Sequence, residues 1–202
     1  MSERWQGGSL LGTPPARPSG PLVVKVGGSL LTRPRWPEAI AAALATASRP
    51  FTVVVGGGPL VDGLRAIDAA AAQPEATLHW LAIEALGITA RLVAEAVGLP
   101  LVADPAADRD GVLDVPRWMR DDGALPVGWQ VTSDSIAAVV ARATRGPLLL
   151  VKSVPPPAGG IRAAVAAGWV DAHFPVAAAT LPYVGWLAPI SPMPAGRSVG
   201  GP

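Results

Sequence analysis

The chain has 202 residues, of which 50% are hydrophobic and 15% charged, with a formal net charge of +1, two histidines and no cysteine. That length suits one domain with a sizeable core. The charge balance excludes a basic field for nucleic acid, the missing cysteines exclude disulfides and thiolate chemistry, and two isolated histidines give no transition-metal cluster.

In chain order, residues 1–21 are dense in Gly, Pro and Ser and predict a flexible N-terminal extension. No apolar stretch follows Glu3 and Arg4 closely enough to predict a secretory leader. Leu22–Val26 reads as a buried strand. Pro37–Ala47 reads as a helix, with a proline allowed in its first turn. Phe51–Val55 is a second strand, and Pro59–Ala72 and Leu78–Val97 are helices. Leu101–Ala103 is a short strand, Ser133–Thr144 a helix, Pro147–Val151 an apolar strand and Ile161–Ala167 a helix. Residues 191–202 predict a flexible C-terminal tail, which leaves 22–190 as a single domain. The charge-free run from Ala172 to Gly196 is broken by Pro175, Pro182, Pro189, Pro192 and Pro194, so no membrane-spanning helix is expected. A soluble, cytoplasmic protein is the expectation, without nucleic-acid or membrane partners.

Apolar strands that do not alternate with polar residues are buried on both faces. Strands that alternate with helices predict an α/β fold, a three-layer αβα sandwich around an open, mainly parallel sheet. Ligands in such sheets sit beyond the carboxyl ends of the strands. Four stretches stand there.

In "KVGGSL", Lys25 closes a strand, and Gly27 and Gly28 let backbone N–H groups approach an anion. In "VVVGGGPLVDGLR", Gly56, Gly57 and Gly58 precede a helix that Pro59 opens, and helix N-termini attract phosphates and carboxylates. Asp62 and Arg65 share a face of that helix. They form either a local ion pair or a guanidinium fork for an acidic acceptor. In "GWQVTSDSIAA", Thr132 or Ser133 is placed to cap a helix, and Asp134 falls in its first turn. Asp134 either complements the helix dipole or holds lysine ammonium groups. In "LLLVKS", Lys152 ends a strand as Lys25 does. Two lysines at strand ends, with a carboxylate between them in sequence, suggest a clamp on a transferring phosphoryl group. The chain lacks G-x-x-x-x-G-K-[ST] and does not fit G-x-G-x-x-G, so neither a Walker A loop nor a dinucleotide fold is expected.

"KVGGSLL", "VVVGGGPLVD", "VTSDSIAA" and the lysine of "LLLVKS", in that order, resemble the amino acid kinase superfamily, which includes acetylglutamate, aspartate, uridylate and carbamate kinases. The resemblance runs from about Leu22 to Val184. "LHWLAIEALG", "GWQVTSDSIAA", "LLLVKSV" and "GWVDAHFP" further resemble the small aminomethylfuran phosphate kinases of methanofuran biosynthesis and their bacterial relatives in one-carbon metabolism. The resemblance implies ATP with Mg²⁺ as donor, a phosphate or carboxylate acceptor and a homodimer or higher homo-oligomer. It implies catalytic roles for Lys25, Asp134 and Lys152. Gly27, Gly28, Ser29, Lys152 and Ser153 would face the nucleotide phosphates. Gly56, Gly57, Gly58, Asp62, Arg65 and His79 would face the acceptor. His79, like Asp171 and His173 of "VDAHFP", is read either as structural or as turned toward the site. The chain departs from the family after Lys152, where "VPPPAGG" replaces the usual Asp-Gly turn near adenine. The rival readings are a non-catalytic nucleotide- or anion-binding relative of the same fold and a kinase for a carboxylate or nucleotide acceptor.

Overall fold

The computed structural model describes residues 5–14, 20–105, 108–119 and 125–189. Among these, seven strands form one sheet: β1 (Trp5–Leu11), β2 (Leu22–Val26), β3 (Phe51–Val55), β4 (Leu101–Val102), β5 (Gly111–Leu113), β6 (Leu148–Val151) and β7 (Val184–Pro189). Their spatial order is β1-β7-β6-β2-β3-β5-β4. Every pairing is parallel except β1 with β7.

The helices are α1 (Trp36–Leu44), α2 (Pro59–Ala70), α3 (Glu75–Val97), α4 (Val115–Trp118), α5 (Ser133–Ala143), α6 (Gly160–Ala166) and α7 (Phe174–Ala177). A short 3₁₀ turn, Gly28–Thr32, follows β2. The strand residues divide by parity between two cores. Val23, Val54, Leu148 and Leu150 pack with Ile136, Val140 and Phe174 of α5 and α7. Val24, Val26, Val53, Val55 and Val151 pack with Ile40, Leu44 and Val93 of α1 and α3. Because both faces are covered, the central strands need no polar alternation. The same parity sends Lys25 toward the α5 side of the sheet. Helix α3 ends at Gly98, whose φ of 70° is the left-handed conformation that glycine adopts freely.

The flexible extension expected over residues 1–21 is corrected for its middle. Trp5–Leu11 pairs antiparallel with β7, Trp5 opposite Pro189 and Gly8 opposite Trp186. Its glycines read as linker, yet they permit close packing. A Cβ on Gly8 would come within 3.2 Å of Pro156 in the "VPPPAGG" segment. Strand β7 lies in the proline-broken run and has no sequence pattern of its own. It gains its order from pairing with β6 and β1. The tail expected at 191–202 lies outside the described residues. No helix among the described residues is long and apolar enough to cross a membrane.

Candidate active site

The carboxyl ends of β2, β3 and β6 lie side by side at the centre of the sheet. Backbone bonds continue past the strands: Gly27 N–H donates to Val151 O at 2.8 Å, and Gly56 N–H to Val26 O at 2.9 Å. The two glycine loops therefore start at one level. They then press against each other. A Cβ on Gly28 would overlap the Gly58 nitrogen, come within 2.6 Å of Gly58 Cα, and lie 2.9 Å from Gly56 O. Gly58 itself has φ 52° and ψ −137°, outside the ordinary reach of other residues. The glycines at 28 and 58 are thus required by loop-on-loop packing, and a cavity opens beside them.

That cavity has a volume of about 560 Å³. Lys25, Asp134 and Lys152 meet in its wall. The Lys25 and Lys152 ammonium groups lie 2.8 and 2.7 Å from the same Asp134 oxygen, Oδ1. Lys152 Nζ also donates to the Trp169 carbonyl at 2.6 Å. All three side chains are buried, at 5%, 6% and 8% exposure for Lys25, Asp134 and Lys152. Burial acts to raise the Asp134 carboxyl, but Lys152 and then Lys25 outweigh it and hold it below the usual carboxylate range. Burial pushes Lys152 down to about 8, against the opposing attraction of Asp134, and Lys25 adds to the lowering. The indole of Trp186 lies 5.8 Å from Lys152 Nζ. Two cations share one anion here, so the cluster carries an excess positive charge. An anion in the cavity would neutralise it.

Ser29 and Ser153 also meet. Their hydroxyl oxygens are 2.9 Å apart, tying the turn after β2 to the segment after β6. On the other side of the cavity stand Asp62, Arg65 and His79. Arg65 Nη1 is 3.0 Å from Asp62 Oδ1. Its guanidinium also stacks over the Trp129 ring, 5.2 Å from the centroid. Arg65 is thus paired with Asp62 and also lines the cavity. Trp129 is anchored through its indole N–H, which donates to Asp68 at 2.9 Å. The Gln73 N–H, and then this indole, hold the Asp68 carboxyl low. His79 is buried, and its Nδ1 accepts the Gly128 N–H at 3.2 Å. That bond leaves Nε2 as the protonated ring nitrogen.

The sequence reading named the glycines of both loops, the Lys25–Asp134–Lys152 cluster, Ser29, Ser153, Asp62, Arg65 and His79, all of which line the cavity. It did not foresee Trp129, nor the carbonyl of Trp169. Trp129 stands next to the glycine of "GWQVTSD", and a backbone oxygen leaves no residue-type signature.

Among the described residues, no group of three or more acidic or histidine side chains stands ready to hold a metal. Asp134 Oδ1 is already shared by two ammonium groups. The described residues offer no ready cage for Mg²⁺, and a magnesium ion entering with a nucleotide would rely on phosphate and water oxygens.

A profile of the amino acid kinase family matches residues 20–156, the stretch that holds both glycine loops and all three charged residues. The chain belongs to the amino acid kinase family. Its fold is similar to that of uridylate kinase from Archaeoglobus fulgidus, with 20% identity and a TM-score of 0.50 over 67% of this chain and 64% of that one. The chain thus spans somewhat under two thirds of that relative. It is also similar to UMP kinase from Ureaplasma parvum, with 12% identity and a TM-score of 0.58 over 83% of this chain and 99% of that one. At these identities the likeness carries the fold alone. No curated protein matches the chain significantly.

Proposed function

We propose that this family member is an ATP-dependent kinase that transfers the γ-phosphoryl group to a phosphate or carboxylate on a small acceptor. The observation that carries the reading is the buried Lys25–Asp134–Lys152 cluster, with its excess positive charge, beside two glycine loops at the strand ends. Phosphoryl transfer demands alignment and charge stabilisation more than covalent chemistry. An acceptor oxygen forms a bond to the γ-phosphorus, the bond to the bridging oxygen breaks, and ADP leaves. An acceptor phosphate or carboxylate is already anionic, so no general base is needed. Lys25 and Lys152 stabilise charge on the phosphoryl oxygens, and Asp134 keeps both ammonium groups turned to one point. Ser29 and Ser153 join the loops on the nucleotide side. Arg65 and His79 Nε2–H supply donors to the acceptor's anionic group.

The acceptor class has support in the sequence stretches around His79, Trp129, Lys152 and Asp171, which resemble the aminomethylfuran phosphate kinases. A self-associating face also has support. Leu81, Ile88 and Leu92 of α3 are exposed, an apolar face that a second copy of the chain would cover. Sedimentation of a monomer at micromolar concentration would count against it.

ADP release over a panel of phosphomonoester and carboxylate acceptors tests the proposal. Lys25→Ala should lower kcat about 100- to 1000-fold with the fold retained. Arg65→Lys keeps the charge but loses the fork, so acceptor KM should rise while ATP KM stays. Nucleotide binding without turnover on any acceptor would favour a non-catalytic binder.

A further inference from the structure

Helix α5 carries Asp134 at its second position, but its start is not capped locally. Its N-cap residue, Thr132, has an extended backbone and no capping bond from its own side chain. The carboxylate of Asp171, far along the chain, takes over that task. Asp171 Oδ2 accepts the Thr132 N–H at 3.0 Å, the Thr132 hydroxyl at 2.8 Å and the Ser135 N–H at 3.0 Å. Asp171 Oδ1 accepts the Ser135 hydroxyl at 2.5 Å. In an ordinary capping box two side chains of one helix share these jobs. Here one carboxylate from another segment grips the residues two before and one after Asp134. Two residues upstream of Asp171, the Trp169 carbonyl grips Lys152 Nζ at 2.6 Å. One short segment, Trp169–Asp171, therefore fixes both partners of the Lys152–Asp134 contact, and it lines the cavity.

The geometry points to Asp171 as the positioning residue that holds Asp134 between Lys25 and Lys152. Its kinetic consequence rests on the kinase reading, but the bracket itself does not. Asp171 acts through Asp134. It sets the turn of α5 on which the carboxylate stands, while the neighbouring carbonyl sets the height of Lys152. Placement at this level matters, because a misplacement of about 1 Å in a reacting array can cost about 100-fold in rate. A purely structural cap would instead affect stability, and replacing one cap by alanine moves Tm by only about 2–4 °C in a chain of this size.

Lys152 reports the geometry. It faces Asp134 from α5, Lys25 from β2, the Trp169 carbonyl and the Trp186 ring of β7. Asp134 is the one anion in that set, and its attraction raises the Lys152 titration. If the bracket is loosened, Asp134 turns away and Lys152 gives up its proton at lower pH. The test is a heteronuclear NMR titration of ¹³C-labelled lysine, with steady-state kinetics, on the full chain and on Asp171→Asn, Asp171→Ala and Ser135→Ala. The Lys152 titration should fall in Asp171→Asn and fall further in Asp171→Ala. Asp171→Ala should lower kcat about 100-fold, with both KM values changed by no more than about twofold. Asp171→Asn retains one accepting oxygen and should rescue part of the loss. If Asp171→Ala fails to fold, Asp171→Asn and Ser135→Ala carry the comparison. A Lys152 titration that stays put or rises overturns the assignment, as does a kcat loss no larger than the unfolded fraction. A titration that falls in a protein without transferase activity would support the bracket and remove the kinase reading.

Discussion

Asp134→Asn removes the one anion between two buried ammonium groups. Lys25 and Lys152 lie 2.8 and 2.7 Å from one Asp134 oxygen, so their nitrogens are no further apart than about 5.5 Å. At that distance, with an effective dielectric of about 20, they repel by about 3 kcal/mol, equivalent to about two pKa units. The Lys152 titration at about 8 already includes that repulsion and is held up by Asp134, so without Asp134 Lys152 should shed its proton at lower pH. Breaking a buried pair from one side costs about 3–5 kcal/mol, or roughly 10 °C in Tm for this chain length. The pH dependence carries the diagnostic. A buried lysine whose folded pKa is depressed leaves the folded state with fewer bound protons than the unfolded state between the two values. Stability therefore rises with pH through that window. In the wild type the window opens at about 8. In the variant it opens at lower pH, so the variant gains stability with rising pH below about 8 while the wild type does not. Thermal melts across this range should show a large deficit at the acid end that narrows toward pH 8. A deficit under about 2 °C, or one constant with pH, would refute the account, because the lysines would then not depend on Asp134.

Three further outcomes are expected. Lys152 must be charged to stabilise phosphoryl oxygens, so kcat/KM should decline as pH rises through about 8; a kcat/KM plateau reaching well beyond about pH 9 would take Lys152 out of the chemistry. Gly28→Ala places a Cβ 2.6 Å from Gly58 Cα and against its nitrogen, so both loops must separate, and ADP release should fall with Tm; unchanged melting would show that the loops tolerate separation. Deleting residues 1–14 removes β1 and leaves β7 as an unpaired edge, so Tm should drop by several degrees, at about 2–4 °C per kcal/mol lost; an unaltered Tm would show that the strand adds nothing to the sheet.

The mostly apolar runs of β2, β3 and β6 announced a buried parallel sheet from the sequence alone, because strands covered on both faces need no polar alternation. Lys25 and Lys152 stood out against those runs, as single charges at strand ends. Asp134 stood out in the first turn of its helix, and the glycine pairs marked where side chains had to be absent. Chain order alone therefore located the strand-end crevice and most of its residues. The meeting of the three charges on one carboxylate oxygen required strand register and the placement of α5 over the sheet, neither of which is local. Strand β1 escaped notice because its glycines and neighbouring prolines carry the composition of a linker, and its order comes from a partner near the other end of the chain. Strand β7 was hidden among prolines for the same reason. Asp171 of "VDAHFP" reads from the sequence only as structural or as turned toward the site, and its capping role is not legible there, since no spacing rule links it to the helix N-cap, Thr132, 39 residues earlier. Capping by a distant carboxylate, like contact between glycine loops from separate strands, is decided by the packed structure, where sequence separation no longer measures distance.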